Sequence, residues 1–408
     1  MKSWNRPGVP ALPGAGSAPR IWDTASAALA DTRPTGVAGI YVCGITPYDA
    51  THIGHAATYL AYDSLIRLWL DAGYDVRYVQ NSTDVDDPLL ERATATGVDW
   101  RELAHGQTEL FRTDMENLAI IPPDHYVAVT EMIDPTAAAV HTLLDHNIAY
   151  YVDSDIYFDS ATAAENCPWE IGDESRLDLE TMLAFSAERG GDPDRVGKRA
   201  PLDPLLWRGA REGEPSWNTV LGAGRPGWHI ECSVIAASFL DLPFTVQGGG
   251  SDLVFPHHEF SAGHTAALTG ERLATVYSHA GLVAYQGEKM SKSRGNLVFV
   301  SRLTAAGTDP RAIRLAILAQ HYRVDWEWTD DILADAELRL ARWSAWARNV
   351  SSRPARETAL LAEIRAVMAN DLDTASALNA IDATIDAGVS ATDVDLDAID
   401  ALLGIRLH

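Results

Sequence analysis

The chain has 408 residues, with 32 Lys and Arg against 57 Asp and Glu, a formal net charge of −25. At roughly 100–200 residues per domain this is length for two or three domains with ample core, and 47% hydrophobic with 22% charged residues excludes wholesale disorder and collagen-like structure. The acidity disfavours loose electrostatic binding to nucleic acid or anionic membrane; three cysteines are too few for a disulfide framework and point to a reducing, cytoplasmic compartment.

Residues 1–35, broken throughout by Pro and Gly, read as an extended arm with no apolar core of signal-peptide length. No apolar run approaches the roughly 20 residues of a membrane span. The first strong element is 39–44 (GIYVCG), a short apolar run and a buried strand candidate. Apolar residues then recur at helical spacing over 56–71, Gly73 closes that helix, and 75–80 (DVRYVQ) is the next strand. Strand, helix, strand in close succession is a βαβ unit and predicts a parallel sheet. Residues 88–148 read as mostly helical, and 149–152 with 155–158 as a small hairpin. The stretch 160–225 is rich in Pro, Gly and charge and shows little periodicity. Helix 229–240, strand 243–248, helix 256–268 and strand 275–285 follow, then amphipathic helices to the end. The expected fold is α/β: a split parallel-sheet domain over 36–148 and 226–308, an insertion over 149–225 and a helical domain over 309–408.

Two short motifs carry chemistry. His52-Ile53-Gly54-His55 falls where a strand gives way to a helix, and helix N-termini favour phosphate. Far downstream, Lys289-Met290-Ser291-Lys292-Ser293 places two lysines beside small hydroxyl residues, suited to a leaving pyrophosphate. Each alone is weak evidence. In this order on an α/β chain, the pair resembles the HIGH and KMSKS sequences of class I aminoacyl-tRNA synthetases. That implies a Rossmann-like catalytic domain, ATP as substrate with Mg²⁺, and His52, His55, Lys289 and Lys292 as catalytic residues.

The cysteines narrow the resemblance. Cys43 ends the first strand, Cys232 lies in PGWHIECS, and His257 lies in PHHE after the triple glycine 248–250. Two thiolates and an imidazole suit a tetrahedral zinc site with one open position. Together, CGITPYDATHIGH, GRPGWHIECS, GGGSDLVFPHHE and KMSKS are similar to cysteinyl-tRNA synthetases, in which zinc binds the substrate thiol. The resemblance implies one zinc ion on Cys43, Cys232 and His257. It also implies contacts to cysteine or its adenylate from Cys43, Gly44, Ile45, Thr46, Thr58, Asn81, Ser82, Thr83, Trp228, Gly250, Ser251, Asp252, Leu282 and Val283. Cys167 matches nothing and is expected to be structural.

Three features depart from the synthetases. Their HHENE continues here as His257-His258-Glu259-Phe260-Ser261, so Ser261 stands where a fourth ligand would be. Their DxDDK becomes Asp84-Val85-Asp86-Asp87-Pro88. The last helices are acidic, with no aromatic and basic surface for an anticodon. These departures, with Glu188-Arg189-Gly190-Gly191-Asp192-Pro193, resemble the mycothiol-biosynthesis cysteine ligases, which join cysteine to the amine of glucosaminyl-inositol. The expected partners are L-cysteine, ATP and glucosaminyl-inositol, without tRNA or membrane, in a monomer or weak dimer. A truncated synthetase that charges tRNA and a catalytically silent binding module are the alternatives.

Overall fold

The computed structural model describes residues 1–290, 297–350 and 356–407. Its centre is a five-stranded, wholly parallel sheet in the spatial order Ala274–Ala280, Phe244–Gly250, Ala38–Val42, Val76–Ser82, His125–Ala128. The first strand in sequence lies in the middle, and the chain winds outward to one side and then to the other. Ligands in such sheets bind outside the carboxyl ends of the strands where the winding reverses. Here that point lies between Ala38–Val42 and Phe244–Gly250.

Both faces of the sheet are buried. Ile40, Val42, Tyr78, Val246 and Val276 pack into one core with the helix Ile53–Asp71 and the C-terminal helices. Tyr41, Cys43, Val79, Val127 and Tyr277 point the other way, into a second core with the helices Ile133–Asp145, Trp228–Phe239 and Glu259–Thr269. This is the period-two alternation of a strand covered on both sides. The helix Ile53–Asp71, buried from Tyr59 to Trp69, has no polar face because it lies between the sheet and the C-terminal helices.

The insertion contains more order than its composition suggests. The hairpin Ala149–Val152 with Asp155–Phe158 forms as expected. It extends through Leu205–Gly209 and Gly222–Pro226 to Trp217–Thr219 as a five-stranded antiparallel sheet. The N-terminal segment is likewise not a free arm. Arg20–Asp23 pairs with Ala28–Asp31, and the buried Trp4 donates its indole N–H to the Ile120 carbonyl at 2.8 Å. The strand His125–Ala128 was not expected within the helical stretch. No helix among the described residues is long and apolar enough to cross a membrane.

A buried charge cluster joins the sheet to the C-terminal helices. Asp63 accepts from Arg67 Nε at 2.8 Å, from the Ile121 N–H at 2.9 Å and from Arg314. Arg67 also bonds the carbonyls of Asp400, Ala401 and Ala119 at 3.0, 3.1 and 2.7 Å. Arg314 bonds those of Leu403 and Leu118. Burial alone would raise the Asp63 carboxyl, but the two guanidinium groups hold it below its usual value. Asp63→Asn leaves two buried arginines short of a counter-charge and is expected to cost about 3–5 kcal/mol, read as a fall in denaturation midpoint.

Asp114 behaves in the opposite sense. It is buried in the helix Trp100–Asn117, and neither carboxyl oxygen makes a well-formed hydrogen bond among the described residues. Burial pushes it up to about 7, against a smaller pull from Thr51. A carboxyl raised on folding destabilises progressively as pH climbs from the unfolded value of about 4 through the folded one. Asp114→Asn is therefore expected to raise Tm at pH 8 and to change it little at pH 4, in melts recorded across that range.

Candidate active site

The site grows from the carboxyl end of the central strand. The Cys43 N–H donates to the Gly248 carbonyl at 3.1 Å, continuing the sheet for one residue. Gly44 then passes so close to the neighbouring strand that a Cβ there would lie 1.6 Å from the Asn81 carbonyl oxygen. Only glycine fits. Its N–H donates to Asn81 Oδ1 at 2.8 Å, an oxygen that also accepts from the Tyr41 hydroxyl at 3.0 Å. Asn81 Nδ2 donates to Thr83 Oγ1 at 3.1 Å, and the Thr83 N–H to the Ile45 carbonyl at 3.0 Å. Residues 43–45 and 81–83 thus form one laced floor. The buried Ser82 adds a hydroxyl with no partner among the described residues.

Cys43, Cys232 and His257 come together from three separate elements, with ligand atoms all within 4.8 Å of one another. All three are buried. Cys232 lies on the helix Trp228–Phe239, and His257 in the kinked turn Val254–His258. His257 Nε2 lies 3.1 Å from Cys232 Sγ, while its Nδ1 lies 3.0 Å from His229 Nδ1. One ring nitrogen therefore faces the cluster and the other is oriented by a neighbour, the arrangement that sets a metal-ligating imidazole. Behind Cys43, His258 Nε2 lies 3.2 Å from its sulfur, and Gln247 Nε2 3.5 Å. Burial pushes the Cys43 thiol up. Burial acts on Cys232 in the same direction, but Cys43 and His257 hold it well below the thiol range.

Ser261 stays out of the cluster, its hydroxyl donating to the His229 carbonyl at 3.2 Å. Glu259 turns away and accepts from the Trp169 indole and from the N–H groups of Gly172 and Ser175 in the insertion. Trp228, half-buried, sets its ring 4.4 Å from that of His257. Cys167 lies in the insertion as a half-buried thiol.

Beside the cluster opens a cavity of 310 Å³, lined among others by Thr46, Tyr48, His52, His55, Thr58, Gly250, Asp252, Leu282 and Val283. His52 caps the helix, its Nδ1 accepting from the Gly54 N–H at 3.1 Å, which leaves Nε2–H as the donor. The His52 and His55 rings stack at 3.8 Å. Burial lowers His55 to about 4, against a smaller upward effect of Asp252. Its ring is therefore a neutral hydrogen-bonding group at physiological pH, and His229 and His258 are pushed down by burial in the same way. The backbone of Leu282 is already engaged, its N–H with Asp325 at 2.7 Å and its carbonyl with the Trp326 N–H at 3.1 Å. Ser251 follows Gly250 in the short turn Ser251–Leu253. Lys289 lies in the strand Glu288–Lys289, paired with Ala284. Lys292 lies outside the described residues.

Four neighbours of the site were not picked out by sequence reading. His229 and His258 lie inside noted motifs and Gln247 adjoins one, but nothing in the residue order told ligand from supporting residue. The fourth is Arg189, noted in the stretch 188–193 without a role, whose Nη1 donates to the carbonyls of Asp252 and Phe255. It clamps the turn that carries Asp252 toward the cavity and His257 toward the cluster.

The tRNA synthetases class I (C) catalytic domain model matches residues 30–338. A methionyl-tRNA synthetase of Mycobacterium tuberculosis in complex with methionyl-adenylate shares the fold, with a TM-score of 0.59 at 16% identity over 90% of this chain and 88% of that one. Sequence relatives are far nearer. The L-cysteine:1D-myo-inositol 2-amino-2-deoxy-alpha-D-glucopyranoside ligase of Clavibacter michiganensis subsp. michiganensis is 61% identical over 100% of this chain and 99% of its own length. The ligase of the same name from Thermobispora bispora is 57% identical over the full length of both. With its own sheet order, paired thiols and HIGH-capped cavity, the chain belongs to this family of cysteine ligases, built on the class I synthetase catalytic domain.

Proposed function

We propose that the protein activates L-cysteine with ATP as cysteinyl-adenylate and transfers the cysteinyl group to the amine of glucosaminyl-inositol, releasing AMP and diphosphate. The observation that carries this reading is the convergence of two thiols and one imidazole beside a HIGH-capped nucleotide cavity. Two sulfurs and a nitrogen within 4.8 Å are a fitting donor set for zinc, so Cys43, Cys232 and His257 would hold it. Bound there, zinc supplies a soft Lewis acid that takes sulfur in preference to the hydroxyl of serine.

ATP, carrying Mg²⁺ on its phosphates, would fill the cavity, with its ribose toward Gly250 and Asp252. The α-carboxylate of cysteine attacks the α-phosphorus; the P–O bond to diphosphate breaks as the new one forms. The Nε2–H of His52 and the neutral ring of His55 donate to phosphoryl oxygens, and Lys289 and Lys292 supply the positive charge. Thr46 and Thr83 orient the amino acid on the laced floor, with Trp228 as its wall. In the second step the acceptor nitrogen bonds the carbonyl carbon while the bond to AMP breaks, AMP keeping the electron pair and the amine proton passing to solvent.

Given ATP, cysteine and either glucosaminyl-inositol or cysteine tRNA, the protein is expected to load the amino sugar; charging of tRNA would return it to the synthetases. Cysteine should drive exchange of pyrophosphate into ATP and serine should scarcely do so. Parity between the two would remove metal-based selection. Cys43→Ala and Cys232→Ala are each expected to lower zinc content to well under half an ion per chain by elemental analysis.

A further inference from the structure

A second pocket, of 550 Å³, is lined among others by Asp84, Trp100, Arg101, His105, Thr130 and Trp217. Asp84 and Thr130 form its inner end, each two residues beyond the carboxyl end of a sheet strand, Val76–Ser82 and His125–Ala128. The Asp84 carboxylate accepts from the Thr130 N–H at 3.0 Å and from its hydroxyl at 2.5 Å. Trp100, at the start of the helix Trp100–Asn117, and Trp217, on the edge strand of the insertion, form its outer walls. Their rings meet nearly at right angles, 77° with centroids 6.4 Å apart. The Arg101 guanidinium covers one face of Trp100 at 4.2 Å, and the exposed His105 stands beside it.

The position of this pocket follows from what the crevice already holds. The nucleotide cavity is lined by residues that follow the strands Ala38–Val42 and Phe244–Gly250, and the thiol–imidazole cluster lies on the face of the helix Trp228–Phe239. An acceptor that must bring its nitrogen to the cysteinyl carbonyl has the flank of Val76–Ser82 and His125–Ala128 left to it. Adjacent strands lie about 4.8 Å apart, and Val76–Ser82 and His125–Ala128 are the first and second neighbours of Ala38–Val42 on that side of the sheet. Thr83, in the laced floor, immediately precedes Asp84.

The geometry points to this pocket as the seat of the amino-sugar acceptor. The inference rests on the activity proposed above and names where its second substrate binds. That substrate is two linked six-membered polyols with one amine and no anionic group. Such a molecule presents C–H faces that suit indole walls and hydroxyls that need a dense set of donors and acceptors. Trp100 and Trp217 supply the walls, Arg101 and His105 the donors, and Asp84 and Thr130 the acceptors. A carboxylate at the inner end would draw the ammonium toward the reacting carbonyl.

The test separates the two half-reactions. In Trp217→Ala, cysteine-dependent pyrophosphate exchange should stay within twofold of wild type while KM for glucosaminyl-inositol rises at least tenfold; Trp217→Phe should restore most of the loss. His105→Ala should raise the same KM several-fold. On the unaltered protein, glucosaminyl-inositol added with a non-reactive sulfamate analogue of cysteinyl-adenylate should slow amide exchange over residues 100–112 and 217–219. Protection confined to other segments, or an acceptor KM indifferent to Trp217 in an enzyme that still ligates, overturns the pocket alone. A wild-type protein that exchanges pyrophosphate yet never loads glucosaminyl-inositol overturns the proposed activity and the pocket with it.

Discussion

Everything in this molecule is hung on the carboxylate of Asp63. It is buried in the one helix that leads directly from the HIGH motif, and its two arginine partners reach out from there. Arg67 binds the carbonyls of Asp400 and Ala401, and Arg314 that of Leu403, so the C-terminal helix is held to the sheet helix through charged hydrogen bonds in a dry core. The same cluster satisfies carbonyls at Leu118 and Ala119, which set the approach to the outer strand His125–Ala128. An ion group this deep stabilises little over an apolar filling of equal volume. What it does supply is registration: a helix of the tail, a turn of the catalytic domain and the helix behind the HIGH-capped cavity meet in one relative position.

On that frame the site is an exercise in charge restraint. Several imidazoles lie close to the crevice, and burial keeps His55, His229, His258 and His279 neutral at physiological pH. Neutral rings are the form that binds metal and that donates and accepts without repelling one another. They also pass orientation outward. His257 leans on His229, while Cys43 leans on His258, which contacts His279 at 2.8 Å and through it Thr24 of the N-terminal hairpin at 2.7 Å. The segment that composition suggested was an extended arm therefore supports a thiol at the centre of the fold.

Much of this was readable from residue order, for physical reasons that can be named. The parallel sheet showed because its strands are buried on both faces and bounded by Gly, and the helix Ile53–Asp71 because its apolar spacing is dense. The thiol–imidazole set was legible because free cysteines are rare here and two of them sit in motifs. Three strands of the insertion were hidden: LLWRG, WNT and GAGRP lack the β-branched alternation of a self-announcing strand and are held by pairing to an existing hairpin. His125–Ala128 was hidden by helices on both sides. Supporting residues such as His229 and Arg189 were beyond reach because their roles depend on which backbone passes next to them. Residue order does not contain that.

The approach of Gly44 to Asn81 has an evolutionary meaning. With a Cβ at position 44 placed 1.6 Å from a main-chain oxygen, no neighbouring side chain can move aside to make room. Drift at that position is blocked by the backbone of another strand, whatever the surrounding sequence becomes. The backbone next to the Cys43 thiol is thereby held against the neighbouring strand. A lineage that changed its acceptor from one kind of amine or hydroxyl to another could rebuild the insertion and the tail and still inherit the same thiol–imidazole cluster unchanged.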